Sequence, residues 1–229
     1  MISHPSERPG MGPAVLSRGE LHEVYDKIRP LIHSRIDEFR KIRDCGSEED
    51  IFWELVFCLL TPASRARSAW KAVRVLREER IIGPEGVDRE RLTRELAVVR
   101  FKNNKARRVE EALRRFYTNG SYTVGKELGA HRDTAHKRDW LVHTVHGLGY
   151  KEASHFLRNI GFTDTAILDR HVLKNLRALS VIDEMPPSLT RVRYLQIEDR
   201  MRRFAMETNI PIDHLDFVLW YMETGEIFK

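Results

Sequence analysis

The chain has 229 residues, 41% of them hydrophobic and 32% charged, a composition that supports a buried core and excludes a disordered tail. No apolar run approaches the roughly 20 residues that a membrane span requires, so we expect no membrane partner. The 39 Lys and Arg residues exceed the 34 Asp and Glu residues, and the net charge of +5 permits a polyanionic partner without requiring one.

Helical periodicity recurs along nearly the whole chain and predicts an all-α protein of about nine or ten helices. Residues 1–16 contain several Pro and Gly and lack the apolar core of a signal peptide, so we expect a loose N-terminus and a cytoplasmic protein. Apolar steps of three and four predict a helix from Leu21 to Phe39, which Pro30 should kink or divide. Ser47, followed by three acids, predicts the start of a buried helix that ends near Leu60. Further helices are predicted at about 63–79, 104–117, 132–145, 150–160, 170–179, 191–207 and 212–223.

The segment between the predicted helices 132–145 and 150–160 contains two glycines, Gly147 and Gly149. Glycines at this spacing suit a tight turn that needs a positive φ or the close approach of another backbone. A helix that begins at Tyr150 would direct free N–H groups towards the turn, and these donors with the helix dipole form a site for an anion such as a DNA phosphate. From the glycines alone, an ordinary corner between two helices is an equally good interpretation.

Lys151 and Asp169 form a candidate catalytic pair. Lys151 lies in the first turn of a predicted helix, where the dipole disfavours a cation, and Asp169 begins the next predicted helix 18 residues later. The intervening helix carries the chain about 16 Å away, and the connection that follows is long enough to return, so the two side chains could face one cleft. A solvated lysine and a helix-capping aspartate are the structural alternatives.

These residues resemble those of a known family. The segment Gly147–Ala153 (GLGYKEA), followed by Leu168–Val172 (LDRHV), resembles the helix-hairpin-helix superfamily of DNA base-excision glycosylases. In that superfamily a lysine at this position marks the members that are both glycosylase and lyase. The segments Phe52–Pro62 and Val99–Ala106, with the lysine that ends the sequence, are similar to type-2, archaeal-type 8-oxoguanine DNA glycosylases. The endonuclease III branch typically carries four clustered cysteines, and this chain has two.

The resemblance implies two helical subdomains with the active-site cleft between them. They form one unit over 17–229, with the hairpin at about 140–161 and the N- and C-terminal helices packed together. Lys151 is implied to attack the sugar C1′ and form a Schiff base, and Asp169 to stabilise positive charge on the sugar. The residues implied for the base pocket are Lys229, Trp220, Lys71 and Asp216, and those implied for DNA phosphate are Gly147, Gly149 and Tyr150.

The activity that the resemblance implies is removal of 8-oxoguanine from duplex DNA, followed by β-elimination at the abasic site. The expected partner is double-stranded DNA containing oxidised guanine, bound by a monomer at the nucleoid. No metal-ligand spacing occurs among the 10 histidines and two cysteines, and we expect neither a metal nor another cofactor.

Several alternatives stay open. The chain could be a glycosylase/lyase for other oxidised bases, or a non-catalytic helix-hairpin-helix protein that only grips phosphate. Trp220 is explained equally well as a core residue of the last helix. Where related enzymes often place a long amide that fills the base stack, this chain has Ala63 and Ser64, so no residue is assigned to that task.

Overall fold

A computed structural model describes residues 16–83 and 86–229 of the chain. The N-terminal segment that the sequence predicts to be loose lies outside the described residues, except for Leu16, whose amide donates to the Ala178 carbonyl at 3.2 Å.

Within the described ranges, helices dominate and the strands form two short antiparallel ladders, so the predicted all-α class is confirmed. The helices are α1 (Arg18–Cys45), α2 (Glu48–Leu60), α3 (Ala66–Glu78), α4 (Arg89–Glu95), α5 (Lys102–Phe116), α6 (Val124–Gly129), α7 (Thr134–Thr144), α8 (Tyr150–Asn159), α9 (Arg170–Ala178), α10 (Arg191–Thr208) and α11 (Ile212–Thr224), with a 3₁₀ turn at Leu96–Val98. The ladders pair β1 (Ile82–Gly83) with β2 (Gly86–Val87) and β3 (Tyr117–Thr118) with β4 (Ser121–Tyr122).

Polar side chains fix where several helices begin. Ser47 and Asp50 form a capping box at the start of α2, in which each side chain bonds the backbone of the other residue. Asp169 caps α9 with a single bond, because its carboxylate accepts the Val172 amide at 2.8 Å. None of the helices in the described ranges has the length and apolar character needed to cross a membrane.

The structure differs from the predicted helices in several places. Pro30 does not divide α1, because it lies on the exposed side of the helix, where solvent can satisfy a carbonyl that lacks its intrahelical partner, and the alternative of a kink stays a prediction. The helix predicted from residue 63 begins at Ala66, since Ala63 adopts a left-handed φ of 53°. Two helices were not predicted: α4 buries only Leu92 well, and α6 has six residues of which two are glycine, so neither shows clear periodicity.

Two hydrophobic clusters form the core. The first surrounds α2, whose residues from Phe52 to Leu60 are all buried, and gathers apolar side chains from α3 to α8. The second joins α1 to α9, α10 and α11, so the first and last helices pack against each other. Helix α8 belongs to the first cluster and α9 to the second. The helix that carries Lys151 and the helix that Asp169 caps therefore approach each other from different halves of the core.

Candidate active site

Residues of both clusters line a cavity of about 110 Å³. It brings together the predicted catalytic pair, Lys151 and Asp169, and three residues of the predicted base pocket, which are Asp216, Trp220 and Lys229. Other residues of its wall include Thr61, Ser64, His155, Arg158, Phe217 and Phe228. The cavity is therefore the meeting point of most of the candidate site residues.

Lys151 reaches the cavity from the first turn of α8. Gly149 is the N-cap of this helix and has no side chain to bond the first amides, which face the turn together with the positive end of the helix dipole. The Lys151 side chain is 25% exposed, and its Nζ lies 3.0 Å from Glu152 Oε1. This ion pair holds the amine beside the cavity, and it must break before the amine can attack a substrate.

Asp169 reaches the cavity from the N-terminus of α9. One carboxylate oxygen accepts the Val172 amide at 2.8 Å, and the residue also lines the cavity. Burial raises the pKa of the Asp169 carboxyl above its ordinary value, while the Val172 amide and the charges of His171 and Lys151 oppose the rise. The capping role and a chemical role are thus compatible in this one residue.

A buried ion pair forms another part of the wall. Arg158 Nη1 donates to Asp216 Oδ2 at 2.5 Å, and the Ile167 amide donates to the other Asp216 oxygen at 3.3 Å. The Arg158 guanidinium also lies over the Phe217 ring, 4.3 Å from its centroid. Burial raises the pKa of the Asp216 carboxyl, against the opposing charge of Arg158. Asp216, a predicted base-pocket residue, therefore lies in the cavity wall with both oxygens already bonded.

His155 lies one turn after Lys151 on the same side of α8. It is 7% exposed, its ring packs edge-on against Phe57, and its Nε2 has no hydrogen-bond partner among the described residues. Burial lowers the pKa of the imidazole well below its ordinary value, and the charges of Arg158 and Lys151 act in the same direction. The ring is consequently neutral near pH 7, with an unbonded nitrogen in the cavity wall.

The Lys229 ammonium is held between acidic and aromatic side chains. Its Nζ pairs with Glu54 and lies 3.6 Å from the centroid of the Trp70 ring, with the Phe57 ring at 5.5 Å. The second Glu54 oxygen accepts Asn159 Nδ2 at 3.1 Å. Lys229 lines the cavity, while Glu54 and Trp70, which hold its ammonium, line a neighbouring cavity together with it.

Trp220 and Lys71, both predicted for the base pocket, have different positions. Trp220 on α11 lines the cavity with a partly exposed ring, which contacts the His171 ring edge-on at a centroid distance of 5.1 Å. Lys71 is exposed on α3 and does not line the cavity. Its neighbour Trp70 faces Lys229 instead.

Sequence reasoning did not single out the charged and titratable residues His155 and Arg158, which line the cavity, or Glu54, which pairs with Lys229. Glu54 stands within the apolar run of α2, and an acid in such a run indicates a buried carboxylate that needs a partner. His155 and Arg158 follow Lys151 at steps of four and seven residues, which places them on its face of the helix. Both signals were present in the sequence.

The hairpin between α7 and α8 has the shape that its glycines indicate. Gly147 adopts a φ of 95°, which confirms the predicted positive φ, and the atoms nearest to a Cβ at this position would be those of the Arg108 side chain, with Cδ at 2.4 Å, and not those of another backbone. Gly149 is extended and caps α8 without a side chain. The Tyr150 hydroxyl accepts Arg191 Nε at 2.7 Å, so its side chain is engaged with α10 and only its backbone lies at the turn.

The turn between α7 and α8 is a helix-hairpin-helix turn, and it places a lysine on the same cavity as an aspartate that caps a helix. This combination defines the class of helix-hairpin-helix DNA glycosylases. Within this class the chain belongs to the 8-oxoguanine DNA glycosylase family, whose model matches residues 32–210.

Named relatives agree with this assignment. The 8-oxoguanine DNA glycosylase/AP lyase of Fusobacterium nucleatum is 42% identical over 211 residues, which cover 92% of this chain and 96% of the relative. A similar fold occurs in the crystal structure of the Methanocaldococcus jannaschii 8-oxoguanine glycosylase/lyase in complex with a DNA 15mer that contains 8-oxoguanine. The two structures superimpose with a TM-score of 0.82 at 33% sequence identity, and the match covers 93% of this chain and 99% of that one. The 8-oxoguanine DNA glycosylase of Thermotoga maritima has a TM-score of 0.81 at 31% identity, over 93% and 98% of the two chains.

Proposed function

We propose that this protein removes 8-oxoguanine from duplex DNA and cleaves the strand at the resulting abasic site, with Lys151 as the nucleophile. The observation that carries the proposal is the presence of Lys151 and Asp169 on one cavity. A protein that only gripped DNA would need neither residue. The partly exposed Trp220 ring in the same cavity offers a surface on which a flipped base can stack.

The chemistry follows from the positions of the two side chains. The damaged nucleotide leaves the base stack and enters the cavity, since its C1′ is unreachable inside the duplex. The neutral Lys151 amine attacks C1′, and the bond from C1′ to the base breaks with its electron pair moving to the base, which takes up a proton. Asp169 as a carboxylate stabilises the positive charge that develops on the sugar.

The lyase step uses the bond that the first step forms. Opening of the sugar ring converts the Lys151 adduct into a Schiff base, which makes the C2′ proton acidic. Loss of this proton expels the 3′ phosphate by β-elimination, and hydrolysis then releases the lysine. No step needs an oxidant or a reductant.

Borohydride trapping tests the proposal because it reduces the Schiff base to a stable amine. Purified protein is incubated with duplexes that contain 8-oxoguanine, an abasic site, another oxidised base or undamaged guanine. We expect a covalent protein–DNA adduct with the first two duplexes and none with guanine. Trapping on another oxidised base instead favours the alternative glycosylase, and the absence of any adduct favours a non-catalytic binder.

The proposal extends to the partner, the oligomeric state and the cofactors. The substrate is double-stranded DNA with oxidised guanine, one chain carries the whole cavity, and the protein acts as a monomer at the chromosome. The lysine chemistry proceeds without a metal or another cofactor, so excision should persist in an excess of EDTA. A fall in rate with EDTA that added Mg²⁺ or Zn²⁺ restores would contradict this part of the proposal.

We expect the Gly147→Ala variant to bind duplex DNA about tenfold more weakly, through the loss of a hydrogen bond to charged phosphate. A side chain at a φ of 95° strains the backbone by about 1–3 kcal/mol and moves the first amides of α8 away from the phosphate. Fluorescence anisotropy with an undamaged duplex measures the affinity. Gly129→Ala is the matched control, because a methyl group there meets open space. Equal affinities of the two variants would contradict a phosphate site at this hairpin.

The Lys229→Met variant should discriminate about tenfold less well between 8-oxoguanine and guanine, since the base edge loses a charged hydrogen-bonding neighbour. It also leaves the Glu54 carboxylate without its cation, which costs about 3 kcal/mol of unfolding free energy for a buried pair. Single-turnover excision rates on the two duplexes measure discrimination, and urea unfolding measures stability. The double variant Lys229→Met, Glu54→Gln should regain stability but not discrimination. If discrimination returned as well, the effect of Lys229 would be structural.

A further inference from the structure

Lys105 on α5 is a buried lysine that the chemistry above does not use. The residue is 1% exposed, and its Nζ donates to the Leu60 carbonyl at 2.7 Å, the Pro62 carbonyl at 2.8 Å and Ser64 Oγ at 2.8 Å. All three acceptors are neutral oxygens. An ammonium group is costly to remove from water unless its protons are bonded, and here each proton has an acceptor.

The three acceptors belong to one short segment, the end of α2 and the loop of residues 61–64 that follows. Leu60 is the last residue of α2, where backbone carbonyls have no partner within the helix. A cation at this end also complements the negative end of the helix dipole. Lys105, from a different helix, therefore caps the C-terminal end of α2 and forms hydrogen bonds with the loop that follows.

The 61–64 loop has a backbone shape that needs such support. Ala63 adopts a φ of 53°, a left-handed conformation that residues other than glycine seldom take. The Ser64 amide donates to the Thr61 carbonyl at 2.9 Å, and Ser64 Oγ accepts the Arg100 amide at 2.9 Å as well as Lys105 Nζ. Lys105 is thus the charged member of a network that fixes the loop.

The 61–64 loop contributes directly to the cavity, because Thr61 and Ser64 line it together with Lys151 and Asp169. Lys105 itself does not line the cavity. Its hydrogen bonds act on the cavity through the loop, and its charge also interacts with that of Lys151.

We propose that Lys105 is a positioning residue for base excision, which fixes the 61–64 loop as the cavity wall that seats the flipped nucleotide beside Lys151. The inference rests on the proposed function, because it concerns the same cavity. It predicts a slower reaction at saturating DNA with little change in DNA affinity, since Lys105 is buried and does not line the cavity. A small displacement of a positioned substrate is enough to slow a reaction about 100-fold.

The protonation state of Lys105 gives the role a pH signature. Burial lowers the pKa of Lys105 to about 8, with the charges of Arg108 and Lys151 acting in the same direction and Glu152 opposing them. These charged groups face it from α5 and α8, and its three acceptors in the loop segment are neutral. Below pH 8 the ammonium makes all three hydrogen bonds. Above it, the amine has one proton fewer and no charge, so the hold on the loop weakens.

The experiment compares Lys105→Met and Lys105→Arg with the wild type, and Lys27→Met, an exposed lysine of α1, is the matched control. Single-turnover rates are measured at saturating protein on an 8-oxoguanine duplex and on a preformed abasic duplex. Circular dichroism checks the fold. We expect Lys105→Met to react about 10- to 100-fold more slowly while its Kd for duplex DNA changes less than about threefold. Lys27→Met should match the wild type.

The pH series separates positioning from a merely structural effect, and it remains decisive if Lys105→Met fails to fold. Arginine keeps its charge throughout, so the ratio of the wild-type rate to the Lys105→Arg rate should fall between about pH 7 and about pH 9.5. A constant ratio, or a folded Lys105→Met variant within about twofold of the wild type, overturns the inference. If the wild type acts on the abasic duplex alone, the proposed specificity for 8-oxoguanine is wrong. The role of Lys105 is then decided by the ratios of the wild-type rate to the Lys105→Met and Lys105→Arg rates on the abasic duplex.

Discussion

The Lys151→Gln variant should form no borohydride-trapped adduct and release no 8-oxoguanine. Glutamine has no nucleophilic nitrogen, so neither the covalent step at C1′ nor the Schiff base can form. We expect the rate of excision to fall below detection, at least about a thousandfold, because the chemical step itself is removed. Trapping gels and single-turnover excision on an 8-oxoguanine duplex measure the two losses.

The loss in Lys151→Gln should be chemical, since the surroundings of the residue leave the fold little affected. The side chain is partly exposed and its ion pair is with its own neighbour, Glu152. Thermal unfolding and DNA affinity should therefore stay close to those of the wild type. Lys174→Gln is the control, because Lys174 is an exposed lysine of α9 that pairs with Glu223 away from the cavity.

Three results of the Lys151→Gln experiment distinguish the possible mechanisms. Loss of both trapping and base release agrees with lysine as the nucleophile. Base release that continues without trapping would assign the first step to a water molecule and only the lyase step to Lys151. Trapping that survives would move the nucleophile to another amine and refute the assignment.

The convergence of Lys151 and Asp169 was predictable because both lie at helix starts. Helix periodicity and the two glycines locate the start of α8, and the length of the connection allows the chain to return. The cap that Asp169 forms then fixes the direction of its carboxylate through local hydrogen bonding. Local rules of this kind were sufficient to predict that the two side chains meet at one cavity.

The remainder of the cavity depends on contacts between distant segments, which local rules do not supply. Lys229 meets Glu54 across 175 residues of sequence, and Arg158 meets Asp216 across 58. Lys71 does not line the cavity, and its role in the pocket stays a prediction, whereas the neighbouring Trp70 ring faces the Lys229 ammonium. On a helix, a shift of one residue turns a side chain by about 100°.

The 61–64 loop was unpredictable for a different physical reason. The sequence-based prediction placed the start of a helix at about residue 63, inside this loop. The left-handed Ala63 is stabilised instead by bonds from Lys105 and Arg100, which lie about 40 residues further along the chain. Tertiary hydrogen bonds here outweigh the local helical preference.

The Asp169→Asn variant should excise 8-oxoguanine about 100- to 1000-fold more slowly than the wild type, the usual effect of removing one group that stabilises transition-state charge. Asparagine is as good an N-cap as aspartate, so α9 should keep its start and the protein its stability. The matched control is Asp133→Asn, in which the cap of α7 changes in the same way and the residue does not line the cavity. Trapping on a preformed abasic site should remain detectable, because Lys151 is intact.

The pH dependence of excision distinguishes two roles of Asp169, stabilisation of positive charge by its carboxylate and capping of α9 by its side-chain oxygen. Burial raises the pKa of the Asp169 carboxyl, so this group takes up a proton at a higher pH than an ordinary aspartate does. The protonated form cannot stabilise positive charge, and the wild-type rate should therefore fall as the pH drops through that pKa. The asparagine of the Asp169→Asn variant does not titrate in this way. The ratio of the wild-type excision rate to the Asp169→Asn rate should therefore decrease as the pH is lowered. A wild-type to Asp169→Asn ratio that is independent of pH would mean that Asp169 acts only as the cap of α9.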